Sequence, residues 1–195
     1  MLEVVMKKSS QYEMMFRKNN DTGRVIIDVA LNDYIEFFNE WDNAVFKKRD
    51  IHSELVEFFD ICSEDIPLSK KLEIDFSINT VDVSAEKEEQ IRVSYRNYYS
   101  SLKRLEKRKT KRLLRMSIIL LFISIVLLTS YGLFMDVELT SIASRVLLES
   151  LLIGGWVFAW EAVHTLFIDI FEPFQRSREL QRFLEADISF IYLCK

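Results

Sequence analysis

A run of 20 residues, Met116 to Met135, contains no charged side chain. As an α-helix rising 1.5 Å per residue, this run spans about 30 Å, the thickness of the hydrocarbon core of a bilayer. A second apolar stretch, Val146 to Phe171, has a similar reach, although four titratable residues interrupt it. We predict a two-helix transmembrane hairpin over residues 111–172, with spans at about 116–135 and 146–170.

Basic residues lie on one side of the predicted hairpin. Residues 101–115 hold eight Lys/Arg and one acid, whereas the connecting turn, residues 136–145, holds one Arg and two acids. Because Lys and Arg near a span favour the cytoplasmic side, we place both termini in the cytoplasm and the turn outside. The N-terminus lacks the apolar run and the small-residue cleavage site of a signal peptide, so we expect none.

The eight basic residues before the first span form a collar beside an acidic domain. They are Lys103, Arg104, Lys107, Arg108, Lys109, Lys111, Arg112 and Arg115. Residues 1–100 carry 13 Lys/Arg and 20 Asp/Glu, a net charge of −7, against +7 for residues 101–115. We predict that the collar contacts the headgroups of anionic lipids. Nucleic acid is the weaker alternative, because the acidic domain would repel phosphate.

The first hundred residues predict a small α+β domain, and a total of only 4 Gly and 2 Pro argues against a sandwich or a propeller. Tyr12 to Arg17 and Arg24 to Val29 resemble two strands joined by a turn-rich segment. A short helix is expected from Asp33 to Trp41, and a second helix follows Ser53, whose hydroxyl can cap it. Leu72 to Ile78 alternates apolar and polar residues, which predicts a half-buried strand.

The segments on either side of the hairpin predict how it joins this domain. Ser84 has the position of an N-cap, and helical spacing continues from there to the membrane, so one long helix should lead into the first span. After the second span, Pro173 permits a bend and residues 176–184 form a short amphipathic helix. Ile188 to Leu193 is β-branched and aromatic on both faces, which predicts a strand buried inside the sheet.

These segments define an α+β membrane protein in which a two-helix transmembrane hairpin is inserted in a small cytoplasmic α+β domain. The domain with its basic helix occupies residues 1–110 and the hairpin residues 111–172. The cytoplasmic tail, residues 173–195, adds a strand to the domain, so movement of the second span would reach the sheet directly.

Three polar residues in the spans are candidates for function, because polar and titratable groups inside a membrane are costly. Glu161 and His164 lie three residues apart on one helical face. Matching depths across the hairpin places Glu161 level with Ile125, beside Ser124, about one-third of the way in from the cytoplasmic face. Glu161 is then either a structural lock bonded to His164 or Ser124, or part of a polar ring around an oligomer axis.

Small residues predict close packing of the two spans. Depth matching sets Gly154 opposite Gly132, which would permit a close approach of the backbones. Small residues four apart, which favour helix packing, also occur along the second span. These pairs are Ser150/Gly154 and Gly155/Ala159.

The sequence contains none of the usual motifs for catalysis or metal binding. Its two His and two Cys have no zinc-ligand spacing, and its glycines form neither a phosphate loop nor a dinucleotide fingerprint. We therefore expect no metal, no cofactor and no catalytic residues.

Three stretches of the chain resemble a family of uncharacterised bacterial membrane proteins. They are FNEWDNAVFKKRDI (Phe38 to Ile51), EDIPLSKKLEIDFSI, and GGWVFAWEAVHTLFIDIF in the second span. The family has a proline near Ala44 or Val45 and a Trp-Arg-Pro-x-Glu run where this chain has residues 160–164. From Val25 onward, the resemblance implies a small α/β domain, a long basic helix, a two-span hairpin and a short cytoplasmic tail, but no activity.

We predict a bacterial inner-membrane protein that anchors a cytoplasmic binding or sensing module and is not an enzyme. The alternative is a homo-oligomeric channel or membrane-perturbing effector gated by its cytoplasmic domain. An enzyme using carboxylates of the acidic domain ranks last. The expected partners are a bilayer with anionic headgroups and either further copies of this chain or another membrane protein.

Overall fold

The computed structural model describes residues 12–39, 50–80, 83–137 and 141–193. The chain forms two compact units. The α/β unit contains Met1–Arg104 and Arg178–Lys195, and the hairpin unit contains Leu105–Ser177. The two units divide after residues 104 and 177, whereas the predicted boundaries follow residues 110 and 172.

Four strands form one sheet in the α/β unit, in the order β1-β2-β3-β4. They are β1 (Arg17–Lys18), β2 (Val25–Leu31), β3 (Leu72–Ile78) and β4 (Asp187–Tyr192). The first pair is antiparallel, whereas β2, β3 and β4 run parallel. The tail therefore returns as a strand, and β4 pairs with β3 from Asp187 opposite Glu73 to Tyr192 opposite Ile78.

Helices account for most of the remaining described chain, so the protein is a mixed α+β structure. They are the 3-10 helix Tyr34–Phe37, α1 (Ser53–Asp65), α2 (Ala85–Phe134), α3 (Ile142–His164), the π-helical segment Thr165–Asp169, and α4 (Phe171–Leu184). The predicted long helix is confirmed as α2, which is continuous over 50 residues. The Ser84 hydroxyl accepts a hydrogen bond from the backbone N–H of Lys87, as expected of its N-cap.

The core of the α/β unit lies on one face of the sheet, where alternate residues of β3 are at most 1% exposed. These residues are Leu72, Ile74, Phe76 and Ile78. Three helices add aromatic rings to the same core: Phe59 of α1 contacts Tyr95 of α2 and Phe183 of α4. Tyr99 stacks on Phe183 at a centroid distance of 4.8 Å, and the Tyr95 hydroxyl donates to the Phe183 carbonyl.

Arg182 of α4 is buried and binds the C-terminal end of α1. Its guanidinium donates to the carbonyls of Ile66 and Pro67, both at 2.9 Å, and to the carbonyl and hydroxyl of Ser63. The last carbonyls of a helix carry partial negative charge, which favours a cation there. Burial lowers the pKa of Arg182, and its hydrogen bonds fasten α4 to α1.

Two N-terminal predictions need correction. The predicted strand Tyr12–Arg17 is wrong over most of its length, because residues 12–15 form a helical turn and only Arg17 and Lys18 pair with β2. The Tyr12 side chain lies in the core, which a helical turn permits as well as a strand does. The short helix expected over Asp33–Trp41 is a single 3-10 turn, Tyr34–Phe37, and residues 40 and 41 lie outside the described residues.

Three further predictions differ in detail. His52, rather than Ser53, caps α1, because its Nδ1 accepts from the Glu54 backbone N–H. β4 is an edge strand, and its Ile191 is exposed. The prediction from its apolar sequence that this strand lies inside the sheet is therefore wrong. A π-helical segment, Thr165–Asp169, interrupts the α-helical pattern within the predicted second span, and Pro173 lies in the first turn of α4, where no intrahelical N–H is needed.

Candidate functional site

The hairpin unit is organised around a seam between α2 and α3. Among its less exposed positions on α2, one row recurs at alternating spacings of four and three residues, as in a coiled coil: Glu106, Thr110, Leu113, Ser117, Leu120, Ser124, Leu127 and Tyr131. The same spacing follows on α3 and ends in the π-helical segment: Ser144, Leu148, Leu151, Gly155, Phe158, Ala162 and Thr165. We call these two rows the seam.

Two hydrogen bonds fix the register of the seam. The Ser117 hydroxyl donates to the Ala162 carbonyl at 2.7 Å, and the Ser124 hydroxyl donates to the Gly155 carbonyl at 2.8 Å. The donors and the acceptors are each seven residues apart in opposite directions, as an antiparallel pair requires. A serine hydroxyl that reaches the opposite backbone requires close helix approach, so the seam brings polar donors and small residues together.

Gly155 is the residue that makes this approach possible. A Cβ added there would lie 2.7 Å from two side-chain carbons of Leu128, closer than carbon atoms pack. Gly154 is less restricted, since its added Cβ would meet only Leu127, at 3.7 Å. The predicted pairing of Gly154 with Gly132 is wrong, because nothing lies within 4 Å of a Cβ at Gly132.

The other predicted packing residues lie at or beside the seam. Ala159 is partly buried next to Phe158. Ser150 is exposed, and its hydroxyl donates to the Val146 carbonyl of its own helix at 2.7 Å. Gly155 and Ala159 therefore lie on the packed side of α3. In the pair Ser150/Gly154, by contrast, Ser150 lies on its exposed side.

The predicted level of Glu161 is also wrong. Ser124, expected beside Glu161, is bonded to Gly155, and Glu161 adjoins Ala162, which is bonded to Ser117. Ser117 is the second residue of the predicted first span, so Glu161 is level with the end of that span and not one-third of the way in. The depth estimate failed because it aligned Met116 with Ile170 as the inner edges of the two spans, whereas the two hydrogen bonds place Met116 level with Val163.

Glu161 and His164 make no hydrogen bond with each other. Glu161 is exposed and has no polar partner among the described residues. His164 instead has its Nδ1 3.7 Å from an Asp169 carboxylate oxygen, across the π-helical segment. The predicted lock between Glu161 and either His164 or Ser124 is therefore absent from the described structure.

The collar residues differ in their partners. Lys103 donates to the Gln181 side chain, Arg104 to the Ser101 hydroxyl at 2.9 Å, and Lys109 pairs with Glu106 at 2.7 Å. The other five are exposed and have no polar partner among the described residues. They are Lys107, Arg108, Lys111, Arg112 and Arg115.

A cleft of 640 Å³ opens in the α/β unit, lined by the C-terminal part of β2 and the start of α1. Its lining contains the acids Asp28, Glu36 and Glu54 together with exposed apolar side chains of Ile35 and Phe58. Hydrogen bonds from Asn32 lower the pKa of Glu36, which favours its charged form. The carboxyl end of a parallel strand is a common position for a ligand site in open α/β sheets.

A row of polar residues crosses the sheet face opposite the core. Asp28, Asp75 and Ser189 are direct neighbours on β2, β3 and β4. The Arg17 guanidinium bonds Asp28 and approaches Asp75 at 3.5 Å, while Ser189 donates to Asp75. The hydrogen bond and charge of Asp28 raise the pKa of Arg17. Among the described residues no group of three or more His, Cys, Asp or Glu is arranged to hold a metal ion.

The most informative residues missed by the sequence analysis are Ser117 and Arg182. The seven-residue spacing of Ser117 and Ser124 was visible as a signal for one helical seam. No sequence signal indicated Arg182, because its partners are backbone carbonyls more than a hundred residues away.

Comparison with protein-family models, with curated proteins and with solved structures finds no match for this chain.

Proposed function

We propose that this chain is a bacterial inner-membrane protein in which the hairpin unit anchors a small cytoplasmic domain that binds or senses a ligand. One observation carries the proposal: the hairpin unit exposes its large apolar side chains and buries small ones. Two helical stretches, Ala85–Phe134 and Ile142–Leu184, contain windows long and apolar enough to cross a membrane, and only 11% of each window is buried.

The exposed surface of the hairpin unit requires a solvent other than water. Phe122 is 67% exposed and Trp160 is 70% exposed, and apolar neighbours continue around both helices. Water-soluble monomers rarely expose contiguous apolar patches larger than a few hundred Å². Acyl chains of lipids would cover this surface with no cost in backbone hydrogen bonds, since both segments are helical.

The α/β unit has the opposite character, which supports its assignment to the aqueous phase. Its core closes around β3 and the aromatic rings of α1, α2 and α4. The collar then sets the orientation, because Lys and Arg are retained on the cytoplasmic side. The cleft beside Phe58 is the ligand site we assign to this domain, and its acids suit a cationic ligand that also carries an apolar group.

Cysteine labelling in intact cells tests the anchor and its orientation together. In a Cys194→Ser background, Asp136→Cys should react with a membrane-impermeant maleimide, whereas Lys18→Cys should react only after lysis. The native Cys62 gives a low background, since burial raises its thiol pKa to about 11. Recovery of the protein in the soluble fraction, or labelling of Lys18→Cys in intact cells, would overturn the proposal.

A homo-oligomeric channel is the competing function, and the exposed carboxylate of Glu161 is the observation in its favour. The position of Glu161 level with the end of the first span favours an anchor instead, because the carboxylate can reach water without a pore. Native mass in mild detergent decides between them. A monomer would exclude a self-assembled pore, whereas four or more chains together with an ion flux that Glu161→Gln alters would support one.

A further inference from the structure

Five of the eight collar residues differ from the rest in being exposed and without a polar partner among the described residues. These five, Lys107, Arg108, Lys111, Arg112 and Arg115, are here called the basic stripe. Lys103 and Lys109, by contrast, donate to Gln181 and Glu106. An unpaired cationic side chain can exchange its hydration for contact with a phosphate at little cost, whereas a paired one must first lose its partner.

The basic stripe occupies one side of α2. At about 100° per residue, its five members fall within about 140° of the helix circumference. The seam residues Glu106, Thr110 and Leu113 lie on the opposite side, and Lys109 lies outside the stripe, nearer the seam. A collar that served only as a topology signal would need no such arrangement, because the positive-inside rule counts charges and not their angle.

We propose that the basic stripe binds the phosphate groups of anionic lipids in the cytoplasmic leaflet, with α2 tilted so that this side faces the membrane surface. The proposal rests on the membrane insertion proposed above and adds to it a ligand class and a binding face. The occupant is the lipid headgroup, since the stripe continues directly into the uncharged run that begins at Met116.

The length of the stripe favours a tilt of α2 toward the membrane surface. Lys107 and Arg115 are eight residues apart, which is about 12 Å along the helix axis. The headgroup region of one leaflet is only about 5 to 8 Å thick, so an upright helix would carry Lys107 beyond it. A tilt of about 20° shortens the rise along the membrane normal only to about 11 Å, but it turns the stripe side of α2 toward the phosphates, and the long side chains of Lys and Arg reach over the remaining few Å.

Lipid selectivity measured by electron paramagnetic resonance tests this proposal on the full chain. The protein is reconstituted in phosphatidylcholine vesicles that contain trace spin-labelled phosphatidylglycerol or spin-labelled phosphatidylcholine. Because each headgroup contacts about one or two cations, we expect the lipid immobilised on the protein to favour phosphatidylglycerol over phosphatidylcholine about fivefold. Lys107→Gln/Lys111→Gln should lower this preference at least about twofold, and Lys103→Gln/Lys109→Gln, which removes the same charge, should leave it unchanged.

The single variants Lys107→Gln and Lys109→Gln test whether the lipid preference depends on the side of α2 on which a charge lies or on its distance from the bilayer along the helix. Lys109 is closer to the bilayer along α2 than Lys107, so an upright helix predicts the larger loss for Lys109→Gln. The tilted stripe predicts the larger loss for Lys107→Gln. Equal losses from the two double variants, a larger loss for Lys109→Gln, or no preference in the parent protein would each overturn the proposal.

Two controls show which proposal has failed if the lipid preference is not found. If carbonate extracts the protein from the vesicles, membrane insertion itself has failed, and the stripe as a lipid site fails with it. If the protein stays inserted but shows no selectivity, only the stripe proposal fails. Loss of the preference in millimolar inorganic phosphate would mean that the stripe binds free phosphate, which also contradicts a headgroup site.

Discussion

The two units of this protein bury opposite kinds of residue. In the hairpin unit, the buried residues among those described are all small: Ser117, Ser124, Gly155, Ala162, Thr165 and Pro173. In the α/β unit, the largest fully buried side chains include Tyr95, Tyr99, Phe37, Phe59, Phe76 and Phe183. The two units therefore bury residues of opposite size and polarity, as expected if lipid covers the hairpin unit, as proposed above, and water surrounds the α/β unit.

Each pattern has its own physical cause. In water, burying a large apolar side chain is the main source of stability, so the α/β unit fills its core with aromatic rings. In lipid, a large apolar side chain is equally well solvated outside, and stability comes from close approach and hydrogen bonds between helices. Small residues and serines therefore gather in the seam, and Phe122 and Trp160 point away from it.

A phenylalanine replaced by alanine should have a very different effect in each of the two units. Phe183→Ala removes a ring that is 0% exposed and contacts Phe59 and Tyr99, so the α/β unit should lose about 3 to 5 kcal/mol. Phe122→Ala removes a ring that is 67% exposed and should change the free energy of unfolding by less than about 0.5 kcal/mol. Pulse proteolysis of the full chain in detergent measures both, and similar losses would contradict the contrast.

A larger residue in the seam should have the next largest effect. Gly155→Leu places carbon where Leu128 already lies, so the hairpin should lose about 1 to 3 kcal/mol by overpacking. Gly132→Leu is the matched control, because open space surrounds its added Cβ. The midpoint of unfolding in sodium dodecyl sulfate, followed by Trp156 and Trp160 fluorescence, should fall for the first variant only.

The thiol of Cys62 reports how well water is excluded from the α/β core. Burial, with a smaller contribution from Asp65, raises its pKa from 9.0 to about 11. Because the folded pKa exceeds the unfolded one, the stabilisation is complete below about pH 9 and is lost as the pH rises toward 11. Comparing the pH dependence of unfolding with that of Cys62→Ala should reveal a component of about 2 kcal/mol by pH 11, and superimposable slopes would show that the thiol is well hydrated.

The hydrogen bonds of the seam should contribute the least. Ser117→Ala and Ser124→Ala each remove one bond between the helices, at about 0.6 kcal/mol apiece. Ser130→Ala is the control, since that hydroxyl bonds the Val126 carbonyl of its own helix. If the control lowers the midpoint in sodium dodecyl sulfate as much as the other two, the bonds between helices do not hold the seam.

Local signals predicted some parts of the fold well. The alternation over Leu72–Ile78 gave β3 with its correct bounds, and the uninterrupted helical spacing after Ser84 gave α2. These predictions succeeded because period and capping are properties of neighbouring residues. The β-branched and aromatic composition of the tail predicted a strand there. Its position at the edge of the sheet depends on which other strand is left unpaired, and composition carries no information about that pairing.

The features that sequence could not give depend on contacts between distant segments. The register of the hairpin follows from where Gly155 lets Leu128 approach, and matching the ends of two apolar runs misplaced Glu161. The division of the collar into paired and unpaired cations required the positions of Glu106 and Gln181. The capping of α1 by Arg182 joins elements that no local pattern connects.

Fluorescence quenching by spin-labelled lipids tests most directly whether acyl chains cover the hairpin unit. Variants that retain only Trp156 or only Trp160, with Trp41→Phe in both, are reconstituted in vesicles whose lipids carry a doxyl group at a shallow or a deep carbon. Trp156 adjoins Gly155, level with Ser124 near the middle of the predicted span, whereas Trp160 lies about 6 Å nearer the end that joins the collar.

We expect strong quenching of both residues, with the deep label more effective on Trp156 and the shallow label more effective on Trp160. Quenching of both by aqueous acrylamide, with no response to either lipid label, would place the hairpin in water and contradict the account.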